Sequence, residues 1–226
     1  MYRFAFLASL LLISACQPAP TETPSASSTM SPEPISSSIT PNPPPTISVT
    51  PTVPASVIEL QGTTLPTGFS ILKFAEIYRP TALTVDLNGN ILVASADSNI
   101  YIVSDTDKDG HADAQSIFAS GYYIPLGLTV HPETGDVYVS YQGAIAMLTD
   151  SDKNGEADSS RILVEGLPST GRHQNNNLEF GSDGWLYMGL GSTCDACAEA
   201  DARNATIMRF NLETGEKEIF ASGLRN

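Results

Sequence analysis

Residues 80–95 read PTALTVDLNGNILVAS, and a similar pattern returns in residues 125–140, PLGLTVHPETGDVYVS, and in residues 175–190, NNNLEFGSDGWLYMGL. In each copy, apolar and polar residues alternate on both sides of a short turn that contains a glycine. Alternation with a period of two predicts β-strands, and a turn glycine between two such runs predicts a hairpin. No long stretch has the period of an amphipathic helix, so the sequence predicts an all-β domain.

A second pattern lies between these copies and completes a repeat. It consists of a strand-like run that begins at Ile100, Ile145 or Ile207, then a polar turn, then a run that ends at a glycine. Four strands in about 45 residues are typical of one blade of a β-propeller. A β-sandwich is the alternative fold, but its strands would not show this longer self-similarity.

The repeats occupy residues 57–226, which we interpret as a partial β-propeller. This segment can supply only about three to four blades, near the low end of the four to eight that propellers contain. The sequence ends where the first strand of another blade is expected, and an open ring would expose bare edge strands. We therefore expect this sequence to be the amino-terminal part of a longer protein.

The first 16 residues, MYRFAFLASLLLISAC, carry one basic residue followed by an apolar run that extends to Ile13. The run is too short to span a bilayer and fits the core of a signal peptide. Its end, ISAC, resembles the lipobox of bacterial lipoproteins, which implies a lipid on Cys16. An ordinary secretory signal with a chance cysteine is the alternative.

Residues 17–56 are dominated by Pro, Ser and Thr, which predicts an extended, disordered linker. With lipid on Cys16, we expect a secreted protein anchored to the extracytoplasmic face of the bacterial cell envelope. Its contact with the membrane would be through the lipid alone. The formal net charge of −14 argues against nucleic acid as a partner.

Two of the polar turns are rich in aspartate: DTDKDGHAD at residues 105–113 and DSDKNGEAD at residues 150–158. Alternate oxygen side chains before a turning glycine are what Ca²⁺ requires. Both loops depart from the EF-hand pattern, because position twelve is Ser116 or Arg161 and only an aspartate at position nine can replace the usual glutamate. Hairpin loops that use Asp and Asn for Asx turns are the alternative. The candidate ligands of structural Ca²⁺ are Asp105, Asp107, Asp109, Asp113, Asp150, Asp152, Asn154 and Asp158.

Cys194 and Cys197 form a CxxC motif in an insertion between two repeat strands. The motif alone is compatible with a redox site or half of a zinc site. With Cys16 assigned to the lipid and no second CxxC in the sequence, a local disulfide in an oxidising compartment is favoured.

His173 lies in a polar loop, just before three consecutive asparagines at residues 175–177. Loops that a rigid sheet supports are common places for binding and catalytic groups. A lone histidine is more often structural, but a neutral imidazole at this place could accept a proton from an alcohol. The repeat places His173 at the end of a segment that connects two blades, where it could face the central pore.

The run HQNNNLEFGSDGWLY at residues 173–187, followed at blade spacing by GLRN at residues 223–226, resembles the glucose/sorbosone dehydrogenases. These are six-bladed β-propeller quinoproteins that use pyrroloquinoline quinone, PQQ. The resemblance extends from about Leu65 to the end of the sequence, and the TCDAC loop at residues 193–197 is typical of the sorbosone-type branch.

The resemblance implies that His173 is the general base that removes the hydroxyl proton of a sugar as a hydride passes to PQQ. It assigns Arg225 and Asn226 to contacts with PQQ, and an arginine suits the carboxylates of this cofactor. It also implies a Ca²⁺ that polarises the quinone as a Lewis acid, held by ligands beyond residue 226.

Two departures distinguish this sequence from the glucose-oxidising members. Those members have an acidic residue where this chain has Arg172, and a glutamine in the segment where this chain has YYIP at residues 122–125. We therefore expect a sorbosone- or pyranose-type enzyme that oxidises a sugar or sugar-derived aldehyde and passes the electrons to an unspecified acceptor. A non-catalytic, surface-anchored propeller that binds a ligand or a protein partner is the alternative. A metal-dependent lactonase would need more acidic pore ligands than the sequence places.

Overall fold

The structure is a computed structural model, and it describes residues 63–173 and 177–224. This part of the chain forms twelve β-strands and no helix, so it contains no helical segment that could cross a membrane. The predicted signal peptide and the linker at residues 17–56 lie outside the described residues. The strands are β1 (Pro80–Val85), β2 (Ile91–Ser95), β3 (Asn99–Ser104), β4 (Ala114–Ser120), β5 (Gly127–Val130), β6 (Val137–Tyr141), β7 (Ala144–Thr149), β8 (Ser159–Val164), β9 (Leu178–Phe180), β10 (Leu186–Leu190), β11 (Thr206–Phe210) and β12 (Lys217–Ser222).

The strands form three four-stranded antiparallel sheets, each a meander of consecutive strands. Sheet 1 contains β1 to β4, sheet 2 contains β5 to β8, and sheet 3 contains β9 to β12. The first strands of successive sheets are neighbours, since β1 contacts β5 and β5 contacts β9. Inner strands that gather in this way are the arrangement of propeller blades. The all-β fold of four-stranded blades is therefore confirmed, with three complete blades in the described residues.

The turn between the first two strands of each sheet depends on a glycine. Gly89, Gly135 and Gly184 have φ values of +89°, +79° and +79°. A side chain at this φ would clash with its own backbone, so glycine allows the chain to reverse there without strain. These are the three turns that the repeat predicted.

Two apolar cores hold the sheets together, one on each side of sheet 2. The core between sheets 1 and 2 includes Leu92, Ile100, Phe118, Leu128, Val139 and Leu148. The core between sheets 2 and 3 includes Tyr138, Ile145, Leu178, Leu186, Met188 and Phe210. Successive residues of a strand point to opposite faces, which is why one middle sheet can contribute to both cores.

The same repeat position is buried in one sheet and exposed in another. Leu83, Leu128 and Leu178 occupy equivalent positions in β1, β5 and β9, and their exposed fractions are 68%, 3% and 1%. Burial of one leucine contributes about 1.5–3 kcal/mol. Phe118 of β4 is 4% exposed, whereas the equivalent Phe220 of β12 is 54% exposed. Sheet 1 at β1 and sheet 3 at β12 thus each expose an apolar residue whose equivalent in another sheet is buried.

Loops of an antiparallel meander alternate between the two ends of a sheet. We call the end with the loops after the first and third strands the hairpin end, and the opposite end the connection end. The aspartate-rich loops at residues 105–113 and 150–158 follow β3 and β7 and lie at the hairpin end. Residues 165–177, which join β8 to β9, and residues 191–205, which join β10 to β11, lie at the connection end.

Candidate functional site

His173 lies in the segment that connects sheets 2 and 3, at the connection end. Its side chain is 32% exposed, and its Nε2 atom lies 2.6 Å from Oδ1 of Asp195. The second oxygen of Asp195 accepts a hydrogen bond from the guanidinium of Arg172. Because an ionised carboxylate only accepts hydrogen bonds, Nε2 carries the hydrogen and the lone pair of the neutral ring lies on Nδ1. A ring held in this tautomer can accept a proton at Nδ1.

Asp195 is a candidate site residue that sequence reasoning missed. It lies between the two cysteines of the CxxC motif, which the sequence interpreted only as a candidate disulfide. Asp195 lies 22 residues after His173, so no local sequence motif connects the two residues. The sequence offered one indication of Asp195: it is an acidic residue in a loop at the same end of the sheets as His173.

The structure joins Cys194 and Cys197 in a disulfide with a Cα–Cα distance of 5.9 Å. Cysteines in a disulfide carry no thiolate, so these two sulfur atoms are not available as zinc ligands. The bond closes a short ring of residues around Asp195 and limits the positions that its carboxylate can reach.

The residues assigned to PQQ, Arg225 and Asn226, lie outside the described residues. The segment directly before them is described: Gly223 has a φ of +77°, and the Leu224 amide donates to the carbonyl of Ala205 at 3.0 Å. Ala205 ends the loop that carries Asp195. The start of the GLRN motif is therefore attached to the same loop that contacts His173.

A second arginine at the connection end is also paired with an acid. Arg203 donates from Nη2 to Oδ2 of Asp201 at 2.6 Å and from Nη1 to the carbonyl of Gly166 at 2.7 Å. The hydrogen bonds from Arg203 lower the pKa of Asp201 from its ordinary value of 3.8 to about 2. Arg172 and Arg203 are thus both bonded to carboxylates of this chain.

The YYIP segment, residues 122–125, lies at the same end of the sheets. Tyr122 is buried and donates from its hydroxyl to Ser160 at 2.9 Å, while Tyr123 is 59% exposed. Ile124 has a φ of +49°, which is strained for a β-branched residue. Strain of this kind is concentrated at binding sites and switch regions.

The first aspartate-rich loop gathers three carboxylates at the hairpin end. Asp105, Asp107 and Asp109 each offer an oxygen, and these oxygens lie within 4.8 Å of one another. Asp113 lies outside this group, and its Oδ2 accepts from the amide of Thr106 at 2.6 Å and from the hydroxyl of Thr106 at 2.5 Å. The hydrogen bonds from Thr106 lower the pKa of Asp113. Asp113 as a fourth ligand therefore stays a prediction from the sequence, with one of its two oxygens bonded to Thr106 in this structure.

In the second aspartate-rich loop, unlike in the first, the aspartate at position nine lies with the other carboxylates. Asp158 groups with Asp150 and Asp152, although its Oδ2 also accepts from the amide of Ser151 at 2.6 Å. The side-chain nitrogen of Asn154 donates to the carboxylate of Asp152, and the side-chain oxygen of Asn154 accepts from the backbone amide of Glu156. In both loops position twelve lies in the following strand, since β4 begins at Ala114 and β8 begins at Ser159. Each loop therefore offers fewer than the six to eight oxygens that Ca²⁺ takes in an EF-hand, before backbone carbonyls and water are added.

Residues 60–226 match a protein family described as a domain of unknown function, DUF7133. The chain belongs to this family. The description of the family states no activity, and no curated protein matches the chain.

Two solved structures show what the fold is similar to. One is the calcium structure of a Trichoderma reesei protein of Carbohydrate-Active Enzymes Family AA12, with 18% identity and a TM-score of 0.56, over 63% of this chain and 38% of that chain. The other is the holo form of the pyranose dehydrogenase PQQ domain from Coprinopsis cinerea, with 17% identity and a TM-score of 0.54, over 61% of this chain and 34% of that chain. At these identities the likeness shows the propeller fold alone. The matched part of this chain spans little more than a third of either protein.

Proposed function

We propose that this chain supplies the base-carrying part of a quinoprotein oxidoreductase that oxidises a sugar or a sugar-derived aldehyde with PQQ as the hydride acceptor. The observation that supports the proposal most is the pairing of His173 with Asp195, at the connection end of a propeller. The fold, which is also that of a pyranose dehydrogenase PQQ domain, supports the same function.

The His173–Asp195 pair fits the proton transfer that such an oxidation needs. When bound, PQQ would supply the hydride acceptor for the carbon that bears the reacting hydroxyl group, which in an aldehyde substrate is the carbon of its hydrate. His173 accepts the hydroxyl proton at Nδ1, while Asp195 holds the hydrogen on Nε2 and stabilises the imidazolium that forms. Arg172 fixes the other oxygen of Asp195 and so limits rotation of the carboxylate.

The described residues fit the binding of PQQ itself less well. PQQ carries carboxylates, which bind best to cationic side chains. At the connection end, Arg172 is already bonded to Asp195 and Arg203 to Asp201. We therefore assign the cofactor contacts to Arg225 and Asn226, which follow directly after Leu224. The bond from Leu224 to Ala205 supports this assignment, because it ties the segment to the loop of Asp195. We assign none of the described residues to the Ca²⁺ that would polarise the quinone.

We also propose that the protein is attached to the cell envelope through a lipid on Cys16. The ISAC sequence and the Pro/Ser/Thr-rich segment that follows support this localisation. An extracytoplasmic compartment is oxidising, which agrees with the disulfide between Cys194 and Cys197.

The direct test uses purified protein loaded with PQQ and Ca²⁺, and follows reduction of a dye with a panel of aldoses and aldehydes. We expect His173→Gln to lower kcat by about 10²–10⁴-fold, the usual effect of removing a positioned general base. His131→Asn is the matched control at the hairpin end. Asn211 already caps the equivalent turn in sheet 3, so this change should keep the turn and the rate, although it removes the contact of the His131 ring with Phe180 at 4.8 Å.

Two results would contradict the proposal. If PQQ does not bind and no dye is reduced, the proposed dehydrogenase function is wrong, and a non-catalytic propeller becomes the better explanation. If PQQ-dependent turnover occurs and His173→Gln keeps the full rate, His173 is not the base.

A further inference from the structure

The loop at residues 191–205 contains a second carboxylate, Glu199, that bonds within the loop. Its Oε1 lies 2.5 Å from the hydroxyl oxygen of Ser192, whose single hydrogen is shared with the carbonyl of Cys194 at 2.5 Å, and its Oε2 accepts from the hydroxyl of Thr193 at 2.6 Å. Both oxygens also lie 3.2 Å from the backbone nitrogen of Thr193. Glu199 therefore holds two consecutive residues, one of which, Ser192, is only 1% exposed.

These two residues hold the backbone of the proposed base. The amide of His173 donates to the carbonyl of Ser192, and the amide of Arg172 donates to the carbonyl of Thr193, both at 3.2 Å. The two segments approach so closely that a Cβ atom at Gly171 would lie 2.6 Å from the Cα atom of Thr193. Only glycine permits this distance, since real Cβ atoms essentially never come nearer than 3.0 Å.

The same loop also holds the ring of His173. Asp195 follows two residues after Thr193, and the disulfide from Cys194 to Cys197 closes the chain around it. Its carboxylate lies 2.6 Å from Nε2 of His173. The backbone and the side chain of His173 are therefore both attached to one loop, and Glu199 bonds the two residues of that loop that hold the backbone.

We propose that Glu199 is a positioning residue, which fixes the loop so that Asp195 meets Nε2 of His173 and keeps the ring in the tautomer with its lone pair on Nδ1. This inference deepens the proposed function, because it rests on His173 as the base. Glu199 bonds Ser192 and Thr193 and acts through them on the loop that carries Asp195. Positioning partners of this kind typically change activity by about 10–100-fold when they are removed.

The test reads the ring of His173 directly, without PQQ or substrate. Protein labelled with ¹⁵N-histidine is compared as wild type, Glu199→Ala, Glu199→Gln and the control Glu213→Gln, and the His173 signals are assigned with His173→Gln. Glu213 is exposed and lies at the hairpin end, so its change should leave the ring signals as in wild type. We expect wild type to show one neutral tautomer, with hydrogen on Nε2, and Glu199→Ala to lose this pattern. Glu199→Gln should be intermediate, because its amide oxygen can accept while its nitrogen cannot.

The signals of His111 and His131 report whether each variant is folded. If Glu199→Ala is unfolded, the inference is judged on Glu199→Gln, which keeps the size of the side chain. Unchanged His173 signals in a folded Glu199 variant would overturn the positioning role. In the loaded protein we expect Glu199→Ala to lower kcat by about 10-fold. If the wild-type protein shows an ordered His173 ring but reduces no dye, the proposed function is wrong while the positioning of His173 by Glu199 still holds.

Discussion

The two aspartate-rich loops at the hairpin end and the loop at residues 191–205 use their carboxylates in different ways. In the aspartate-rich loops, aspartates accept hydrogen bonds from their own loop, such as Asp150 from the amide of Gly155 at 2.9 Å. In residues 191–205, Asp195 bonds to His173 and Arg172, which are 22 and 23 residues away. A carboxylate that closes its own turn stabilises the turn, whereas one that bonds across to another loop sets the position of that loop's side chains. This difference is why we place the site at the connection end.

The largest expected difference between the two ends concerns their glycines. Gly155 has a φ of +87°, and a Cβ there would meet nothing nearer than Ile102 at 3.8 Å. We expect Gly155→Ala to cost about 1–2 kcal/mol, the cost of a left-handed conformation for a residue with a side chain. Gly171→Ala meets the backbone of Thr193 at 2.6 Å, so the two loops must separate and overpacking adds about 1–3 kcal/mol.

Denaturant unfolding measures both variants, and the His173 ring signals show whether the loops have separated. We expect only Gly171→Ala to disturb those signals, because Gly155 lies at the hairpin end. If both variants lose the same stability and the His173 signals are unchanged, the close approach of Gly171 to Thr193 does not fix the position of His173.

The second prediction concerns Ca²⁺ at the hairpin end, which stays a prediction from the sequence. If the aspartate-rich loops bind Ca²⁺, a concentration of 100 times Kd should raise the free energy of unfolding by about 2.7 kcal/mol. Because Asp158 groups with Asp150 and Asp152 while Asp113 lies outside its group, Asp158→Asn should remove more of this rise than Asp113→Asn. Calorimetric unfolding with Ca²⁺ and with a chelator measures it, and identical curves would mean that the loops are Asx turns only.

The smallest effect is the pH dependence of the Asp201–Arg203 pair. Arg203 lowers the pKa of Asp201 from 3.8 to about 2, so the charged form is favoured in the folded state. The contribution of Asp201 to stability is therefore present above pH 4 and is lost as the pH falls from about 4 to about 2. Asp201→Asn should be slightly less stable than wild type at pH 6 and lose most of this difference by pH 2, whereas Arg203→Met should keep the part that comes from its lost bond to the carbonyl of Gly166. A difference that is constant across this range would show that the pair does not titrate in this way.

The fold was largely predictable because its determinants are local and repeated. The alternation in β1, β2 and β6 and the positive φ of Gly89, Gly135 and Gly184 follow from short stretches of sequence. The burial of equivalent residues was not predictable in the same way. Leu83 and Leu128 occupy the same repeat position, but only the packing of one sheet on the next makes one exposed and the other buried.

The site was predictable only in part. The polar loop and the position before a first strand singled out His173, and the turn chemistry singled out the aspartate-rich loops. The partner of His173 was missed because a bond between residues 173 and 195 depends on how two loops at one end of the sheets approach each other. Asp113 lies outside the group of Asp105, Asp107 and Asp109, and its bonds from the amide and hydroxyl of Thr106 were not visible in the sequence pattern.

The central claim is that His173 and Asp195 act as a unit in the reaction, and a double-mutant cycle on kcat tests it most directly. The variants are His173→Gln, Asp195→Asn and the double variant, in protein loaded with PQQ and Ca²⁺. Residues that act as a unit are strongly non-additive. We predict that Asp195→Asn alone lowers kcat by about 10–100-fold and that adding it to His173→Gln lowers kcat no further. Fully additive losses, or a wild-type rate for Asp195→Asn, would contradict the account.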